Sequence, residues 1–288
     1  MQVLTPGLGP LAGVPLPPSV EPRRQGLPAA LTVIENEITK GLIDLWGGRI
    51  ASLLELILFG ILYVVITYAM GQGRLVPALL ASTLLGFVGY MFFHMQTNRL
   101  FWGLLGEAQN GTLEQLYLSP LPSWVLTIGM TVASMIEAAV SAAVLYLGVA
   151  LVLHVTIPWR WDALVPIALL VVGSVGYSLI LGGLTLKFKR VELIKELFQL
   201  VVMLFGGVFI PVARMPALMA TFARLLPLTP GLEALRRMLL TGASLGTLTN
   251  DGTLLGLVIS AVVYLIAGIL VFRWFERVAR REGTLGQY

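Results

Sequence analysis

The 288-residue chain is 57% hydrophobic and 12% charged, and its mean hydropathy is +0.88. That much apolar surface excludes a water-soluble globular domain, because no single core could bury it. The absence of cysteine excludes disulfides, thiolate metal sites and a thiol nucleophile, and the modest net charge of +4 makes the placement of basic residues more informative than their sum. We therefore expect an all-α polytopic membrane protein.

The first two segments are predicted to lie outside the hydrocarbon layer. Residues 1 to 28 are rich in proline and lack apolar periodicity, which predicts a disordered cytoplasmic tail. From residue 29 to 48 the periodicity is helical, with apolar side chains at three- and four-residue spacing: Leu31, Ile34, Ile38, Leu42 and Leu45. Because a long apolar run follows at once, we expect an amphipathic connecting helix in the headgroup layer.

Residues 49 to 281 are predicted to form a transmembrane domain with six spans. A helix needs about 20 apolar residues to cross a bilayer; the third run is longer and should tilt, and the fifth is short. The predicted spans are residues 50–70, 76–95, 124–154, 162–186, 195–211 and 253–272. Two apolar pieces between the last two spans are too short to cross, so residues 211–242 are predicted to form short re-entrant helices on the external side. Residues 282–288 form a tail.

The basic residues orient these spans. Thirteen of the nineteen lysines and arginines fall on the side of both termini, including Lys187, Lys189, Arg190 and Lys195 after the fourth span. The excess of positive charge predicts that both termini are cytoplasmic, in a multi-pass protein of the cell inner (plasma) membrane.

A short mixed stretch, Gly111 to Pro122, separates the second and third spans. Thr112 can cap the start of a helix, and the side chain of Gln115, three residues later, can reach back to the capping residue. Ser119-Pro120 ends that helix after about two turns. Such a helix presents Leu113, Leu116 and Tyr117 on one side. Local pattern alone leaves two interpretations open: a docking helix, or a solvated loop that folds back on the membrane surface.

Several charged residues lie inside or beside the predicted spans. Glu137 is central in the third span, where it either contacts a polar substrate or partner charge on the translocation path, or is a protonated carboxyl bonded to a neighbouring helix. Glu55 is expected near the headgroups or paired with Arg49. Four external arginines either guide an anionic headgroup or, as we favour, snorkel to phosphates: Arg214, Arg224, Arg236 and Arg237. His94 and His154 are expected at opposite membrane faces, so no metal site is predicted.

Two motifs carry a family resemblance. Gly111-Thr112-Leu113-Glu114 with Ser119-Pro120 resembles the segment between spans two and three in type-2 permeases of ATP-binding-cassette transporters. A second stretch resembles the re-entrant signature of that family before the last span: Gly206 to Pro211, Met215-Pro216, Leu226 to Pro230, Glu233, Arg236-Arg237 and Gly242. With the amphipathic leader and six spans, the resemblance covers about residues 29 to 281.

The resemblance implies a half-channel that pairs with a second permease copy or a paralogue and with two cytoplasmic ATPase subunits. Its coupling helix would correspond to residues 112–118, with Gly111, Thr112, Leu113, Glu114, Gln115, Leu116, Tyr117 and Pro120 as ATPase-coupling residues. Its re-entrant gate would involve Pro211, Pro216, Pro227, Pro230, Glu233 and Arg236. No phosphate-binding Gly-x-x-x-x-Gly-Lys-Ser/Thr motif occurs, so ATP and Mg²⁺ are expected in the partner ATPase and not in this chain.

The resemblance favours an exporter of a drug-like or amphipathic compound, with antibiotic resistance as one outcome. A lipid or polysaccharide exporter is the alternative within the family. An intramembrane lipid-modifying enzyme and a non-catalytic scaffold that recruits an ATPase are alternatives from other classes. Membrane lipids are expected partners and nucleic acid is not.

Overall fold

The computed structural model describes residues 27–109, 123–188 and 191–282. Within these ranges the chain forms ten α-helices and two single 3₁₀ turns, Trp161–Ala163 and Val212–Arg214. The helices are α1 (Leu27–Gly47), α2 (Arg49–Met70), α3 (Pro77–Gln109), α4 (Ser123–Leu153), α5 (Leu164–Thr185), α6 (Glu192–Phe205), α7 (Ala217–Leu225), α8 (Thr229–Thr241), α9 (Leu245–Asn250) and α10 (Thr253–Glu282).

Five helical stretches in the described residues are long and apolar enough to cross a membrane: Arg49–Met70, Pro77–Glu107, Val125–Leu153, Trp161–Thr185 and Thr253–Ala279. They correspond to five of the six predicted spans. The predicted fifth span, residues 195–211, differs: α6 ends at Phe205 after 14 residues, or roughly 21 Å. Non-helical backbone follows because Gly207 has a φ of +77°, a conformation that interrupts a helix and suits glycine.

Two other elements differ in extent from the sequence prediction. α3 runs to Gln109, so the helix continues for several turns beyond residue 95, where the second span is predicted to end. α1 matches the predicted connecting helix closely, but its buried positions are Glu37 and Gly41 against α4. Leu31 and Leu42 of the predicted apolar stripe are more than half exposed, as is Trp46, whereas Ile34 and Ile38 are partly buried. Part of the stripe therefore faces away from the bundle.

Glycines bring α5 and α10 into the most extensive helix pair of the structure. At Gly268 an added Cβ would lie 2.2 Å from the Gly176 carbonyl oxygen, and at Gly176 it would lie 2.3 Å from the Tyr264 carbonyl. Small residues permit this close backbone approach, as in many membrane helix pairs. The main core lies beside this pair, where fully buried aromatic and aliphatic side chains of α2 and α3 meet: Tyr63, Leu84, Phe87, Met91 and Phe93.

The two ends of the bundle differ in chemistry. At one end, hereafter the α1 end, α1 packs against the beginning of α4, with Gly129 beside Glu37 and Gly41 beside Ala133. At the opposite end the short helices α7 to α9 lie between α6 and α10. There Arg160 forms a bidentate ion pair with Asp162 and donates a 2.8 Å hydrogen bond to the Gly242 carbonyl.

Asp251 closes the loop that leads into α10. Its carboxylate accepts a 3.0 Å hydrogen bond from the backbone N–H of Thr253 and pairs with the Arg237 guanidinium of α8. Hydrogen bonds from Thr253, and then from Arg237, lower the pKa of Asp251 to about 2.

We expect Asp251→Ala to lower the thermal midpoint of the purified protein at neutral pH, and Asp251→Asn, which keeps an acceptor but loses the charge, to fall between it and the wild type. A pKa depressed from 3.8 means that the stabilisation is complete above that value and is lost as the pH falls towards 2. The advantage of the wild type over Asp251→Asn should therefore shrink in acid. An Asp251→Ala variant that melts with the wild type at neutral pH would contradict this assignment.

Candidate functional site

The predicted ATPase-coupling residues lie outside the described residues. Gly111, Thr112, Leu113, Glu114, Gln115, Leu116, Tyr117 and Pro120 all fall in the range 110–122. Their roles stay predictions. The structure does describe the helix ends on either side, Gln109 of α3 and Ser123 of α4, and both belong to the α1 end.

A charged cluster joins α1 to α3 close to those helix ends. The Lys40 ammonium lies 2.8 Å from the Glu37 carboxylate and 3.6 Å from the Glu107 carboxylate. The hydrogen bond to Glu37 raises the pKa of Lys40 above its ordinary value. The cluster borders a polar cavity of about 260 Å³ between α1, α3 and α4, which Arg99 and Trp102 also line. α1 is therefore tied by ion pairs to the last turns of α3.

Glu137 has a charged partner within the chain. Its Oε2 lies 3.4 Å from Nε of Arg99, which joins the middle of α4 to α3. Both side chains are mostly buried, with 19% and 27% of their surfaces exposed. Pairing compensates part of the cost of burying each charge. A role for Glu137 in a translocation path stays a prediction, and the partner charge in this conformation is Arg99.

Arg236 fastens the segment that follows α6. It is 8% exposed and donates hydrogen bonds to the carbonyls of Gly207 and Val208 in the non-helical segment, and to the carbonyl of Ser82 in α3. A guanidinium can satisfy several carbonyls at once because its donors have a fixed fork geometry. The expectation that Arg236 snorkels to phosphates was therefore wrong: its donors bind two carbonyls of the non-helical segment and one carbonyl of α3.

The other predicted gate residues lie in the same part of the chain, residues 206–241. This part, hereafter the hairpin, consists of the segment that follows α6 and of helices α7 and α8. Pro211 and Pro216 precede the 3₁₀ turn and α7, and Pro230 lies in the first turn of α8, where a missing backbone donor costs little. Pro227 is buried in the turn between α7 and α8. Glu233 is partly buried one turn before Arg236 and acts on it electrostatically. These residues therefore belong to the same hairpin as Arg236, and Glu233 is the one that acts on it.

A polar network between α3 and α6 is the feature that the sequence did not predict. The Lys195 ammonium lies 2.7 Å from Asn98 Oδ1, and Gln199 Nε2 lies 3.2 Å from the same oxygen. Lys195 also stacks 5.2 Å above the ring centres of Phe101 and Trp102. Its side chain is 1% exposed, so the Lys195 ammonium is buried between α3 and α6.

The network continues to α2 through His94. Asn98 Nδ2 lies 2.9 Å from His94 Nε2, and the Tyr90 hydroxyl lies 3.5 Å from Nδ1. Glu55 Oε1 approaches His94 Nε2 at 3.5 Å, whereas Arg49 donates to the Trp46 carbonyl. The expected contact between Glu55 and Arg49 is therefore replaced by one with His94. The signal in the sequence was the four-residue spacing of Lys195 and Gln199, which places two polar side chains on one face of α6.

An apolar cavity of about 380 Å³ lies on another side of α3, between α3, α4, α5 and α8. Tyr146 and Trp159 contribute its amphipathic side chains, and aliphatic residues such as Leu85, Leu170 and Leu239 form most of its wall. Such a cavity suits an apolar group of modest size.

Comparison with known proteins identifies the family. A family model described as ABC-2 type transporter matches residues 38–240, which is more than two thirds of the chain. The match includes α2 to α8, the Arg236 hairpin and the polar network. No curated protein matches the sequence significantly. The chain belongs to the ABC-2 type transporter family, and it is a multi-pass membrane protein of the transport class.

Proposed function

We propose that the chain is the transmembrane permease subunit of an ATP-driven exporter. Two such subunits, identical or paralogous, would form the translocation path, and separate cytoplasmic ATPase subunits would bind ATP and Mg²⁺. The observation that carries the proposal is the family match over residues 38–240, which covers the motif region 111–122 and all but the last two residues of the motif region 206–242.

The proposed topology has six crossings with cytoplasmic termini. Five are the long helices, and α6 together with the segment up to Pro211 would complete the sixth. Non-helical backbone at that depth requires cover by protein, which α3 and Arg236 provide at Gly207 and Val208. α7 and α8 would be re-entrant. The outward apolar side chains of α1 suit a helix lying in the headgroup layer.

The α1 end is the proposed input for the ATPase motion. Residues 112–118 would dock on the ATPase, and the ion pairs of Lys40 with Glu37 and Glu107 join α1 to α3 beside that segment. Connected in this way, α1 and the spans would move as a rigid body when the ATPase subunits close.

The proposed cargo is a drug-like or amphipathic compound. Two described connections at the opposite end are short, at residues 71–76 and 154–163, and neither holds an extra domain for a sugar chain. A lipid or polysaccharide remains the alternative cargo. The experiment that separates these is ATPase stimulation in proteoliposomes by cationic amphiphiles, by lipid-linked glycans and by phospholipids.

Coexpression with a cytoplasmic ABC ATPase subunit, chosen from neighbouring coding sequences, tests the proposal directly. We expect a stable complex whose ATP hydrolysis is stimulated by cargo and drives vectorial transport into vesicles. Glu114→Arg and Leu116→Asp should leave membrane insertion intact while lowering the stimulated hydrolysis and transport together, because both lie on the proposed docking helix.

The matched control is Arg74→Glu, a charge reversal at an exposed position of the connection between α2 and α3, at the opposite end from α1. It should keep coupled transport. Full transport by both Glu114→Arg and Leu116→Asp would contradict the coupling role. ATPase binding without movement of any cargo would favour a scaffold, and lipid modification without nucleotide would favour an enzyme.

A further inference from the structure

α6 buries polar side chains and exposes apolar ones, the reverse of a helix in a soluble protein. Lys195, Gln199 and Val202 face the bundle and are about 1% exposed, whereas Leu193, Leu197 and Phe198 are at least half exposed. Polar contacts with α3 therefore help to hold α6 in place. Those contacts converge on a single acceptor, the Oδ1 atom of Asn98.

The orientation of the Asn98 amide follows from its neighbours. An ammonium group has only donors, so the Asn98 atom 2.7 Å from Lys195 Nζ must be the oxygen. The amide nitrogen then faces His94 Nε2 at 2.9 Å. Because that nitrogen is a donor, Nε2 must be an unprotonated acceptor, and the proton of a neutral imidazole must lie on Nδ1, facing the Tyr90 hydroxyl.

The Glu55 carboxylate competes with the Asn98 amide for the same imidazole nitrogen, His94 Nε2. Glu55 Oε1 lies 3.5 Å from Nε2 and can only accept when it is ionised. Protonation of Nε2 would exchange partners, since the new N–H repels the Asn98 amide N–H groups and attracts the Glu55 carboxylate. The amide could then avoid the clash only by rotating its oxygen away from Lys195 and Gln199.

We propose that His94 is a positioning residue: neutral and protonated on Nδ1, it holds Asn98 so that α6 docks on α3, and protonation of Nε2 releases that docking. Histidine is the side chain whose charge ordinarily changes nearest neutral pH. α6 leads directly into the segment that Arg236 fastens to α3. The docking of α6 thus becomes sensitive to protons without any contact with cargo or nucleotide.

Four titratable or charged groups belong to the network around His94 in the described part of the chain. Glu55 on α2 lies 3.5 Å from its Nε2, and the Tyr90 hydroxyl lies 3.5 Å from its Nδ1. Lys195 on α6 reaches the network through Asn98 and pairs with Glu196. The Glu55 side chain is 38% exposed and that of His94 13%, so the network opens to the surface at α2.

The tautomer of His94 can be measured directly because the sequence has one other histidine, His154, which can be replaced. Nitrogen-15 NMR of ¹⁵N-histidine-labelled His154→Gln protein in nanodiscs leaves His94 as the single imidazole. At about pH 8 we expect the Nδ1–H tautomer, the minor form of free histidine. Asn98→Asp should move the proton to Nε2, because a carboxylate accepts where the amide donated. An Nε2–H tautomer in the parent, or an unchanged tautomer in Asn98→Asp, would overturn the proposal.

The docking of α6 is measurable because the native chain has no cysteine. Spin labels at Leu197→Cys on α6 and Leu54→Cys on α2, both exposed, report the separation of these helices. We expect the distance distribution to broaden between about pH 8 and about pH 5.5, the range in which histidine titrates.

His94→Gln, which keeps a neutral acceptor for Asn98, should abolish that response, and His154→Gln, at the exposed end of α4, should retain it. A pH-independent distance between the two spin labels in the protein that retains both histidines would contradict the proposal. So would a response that persists in His94→Gln, because it would have to come from another group.

Discussion

Gly268→Ala is expected to disrupt the packing of α5 against α10. The new Cβ would lie 2.2 Å from the Gly176 carbonyl oxygen and 2.9 Å from its Cα, and backbone atoms cannot rotate away as a side chain can. Overpacking of this kind costs about 1 to 3 kcal/mol or more. We expect a thermal midpoint several degrees lower and a smaller monodisperse fraction in detergent, measured by fluorescence-detected size-exclusion chromatography.

The same helix supplies a matched control. Gly256 lies in the first turns of α10 with no other atom within 4 Å of its added Cβ. Gly256→Ala should be neutral or stabilising, because alanine favours a helix by about 1 kcal/mol over glycine. Equal midpoints for the two alanine variants would mean that the α5–α10 contact is looser than described.

The long helices could be predicted from the sequence because their signal is local. A run of apolar residues long enough to cross a bilayer needs no tertiary information, and five of the predicted spans recur as helices. The short pieces before and after Pro227 were likewise predicted, since proline and glycine mark their ends. The end of α3 was not: residues 96 to 109 are mixed in polarity, and their helix is stabilised by contacts with α1 and α4.

The polar interior was beyond the reach of local patterns. Lys195 follows a basic loop, and the sequence alone cannot show that its ammonium turns inward to Asn98, 97 residues away. The same holds for Arg236, whose partner carbonyl at Ser82 is 154 residues distant. Periodicity reports which face of a helix differs from the others; it does not report which face is buried when the bilayer can solvate the apolar one.

The two arginines at the hairpin show how partners decide a role. Arg236 and Arg237 are adjacent, and the sequence treated them alike. Arg237 faces Thr253 and Asp251 at the beginning of α10, whereas Arg236 faces α3 and the non-helical segment. A helix places successive side chains about 100° apart, so neighbours in sequence reach different elements.

Arg236→Met is expected to be the most damaging single substitution at the hairpin. It removes the link to the Ser82 carbonyl of α3 and the side-chain donors for the carbonyls of Gly207 and Val208, which lie outside any helix. Each buried carbonyl left without a partner costs about 1 to 3 kcal/mol. We expect poor expression of folded protein and a lower thermal midpoint. Arg236→Lys should be intermediate, because one ammonium cannot reach all three oxygens. Arg224→Met, at an exposed position of α7, is the control and should behave as the wild type.

Gly86→Ala tests the same contact from the side of α3 with Arg236 intact. Its Cβ would lie 2.0 Å from the Val208 carbonyl oxygen and 2.5 Å from the Arg236 guanidinium, so the segment would have to leave α3. If the contact sets the conformation of the hairpin, Gly86→Ala and Arg236→Met should raise hydrogen exchange in the same peptides, those covering residues 206 to 216. Hydrogen exchange that rises in one variant only would mean that either the packing or the hydrogen bonds alone hold the segment. Unchanged exchange in both variants would contradict the role of Arg236 in fastening the segment to α3.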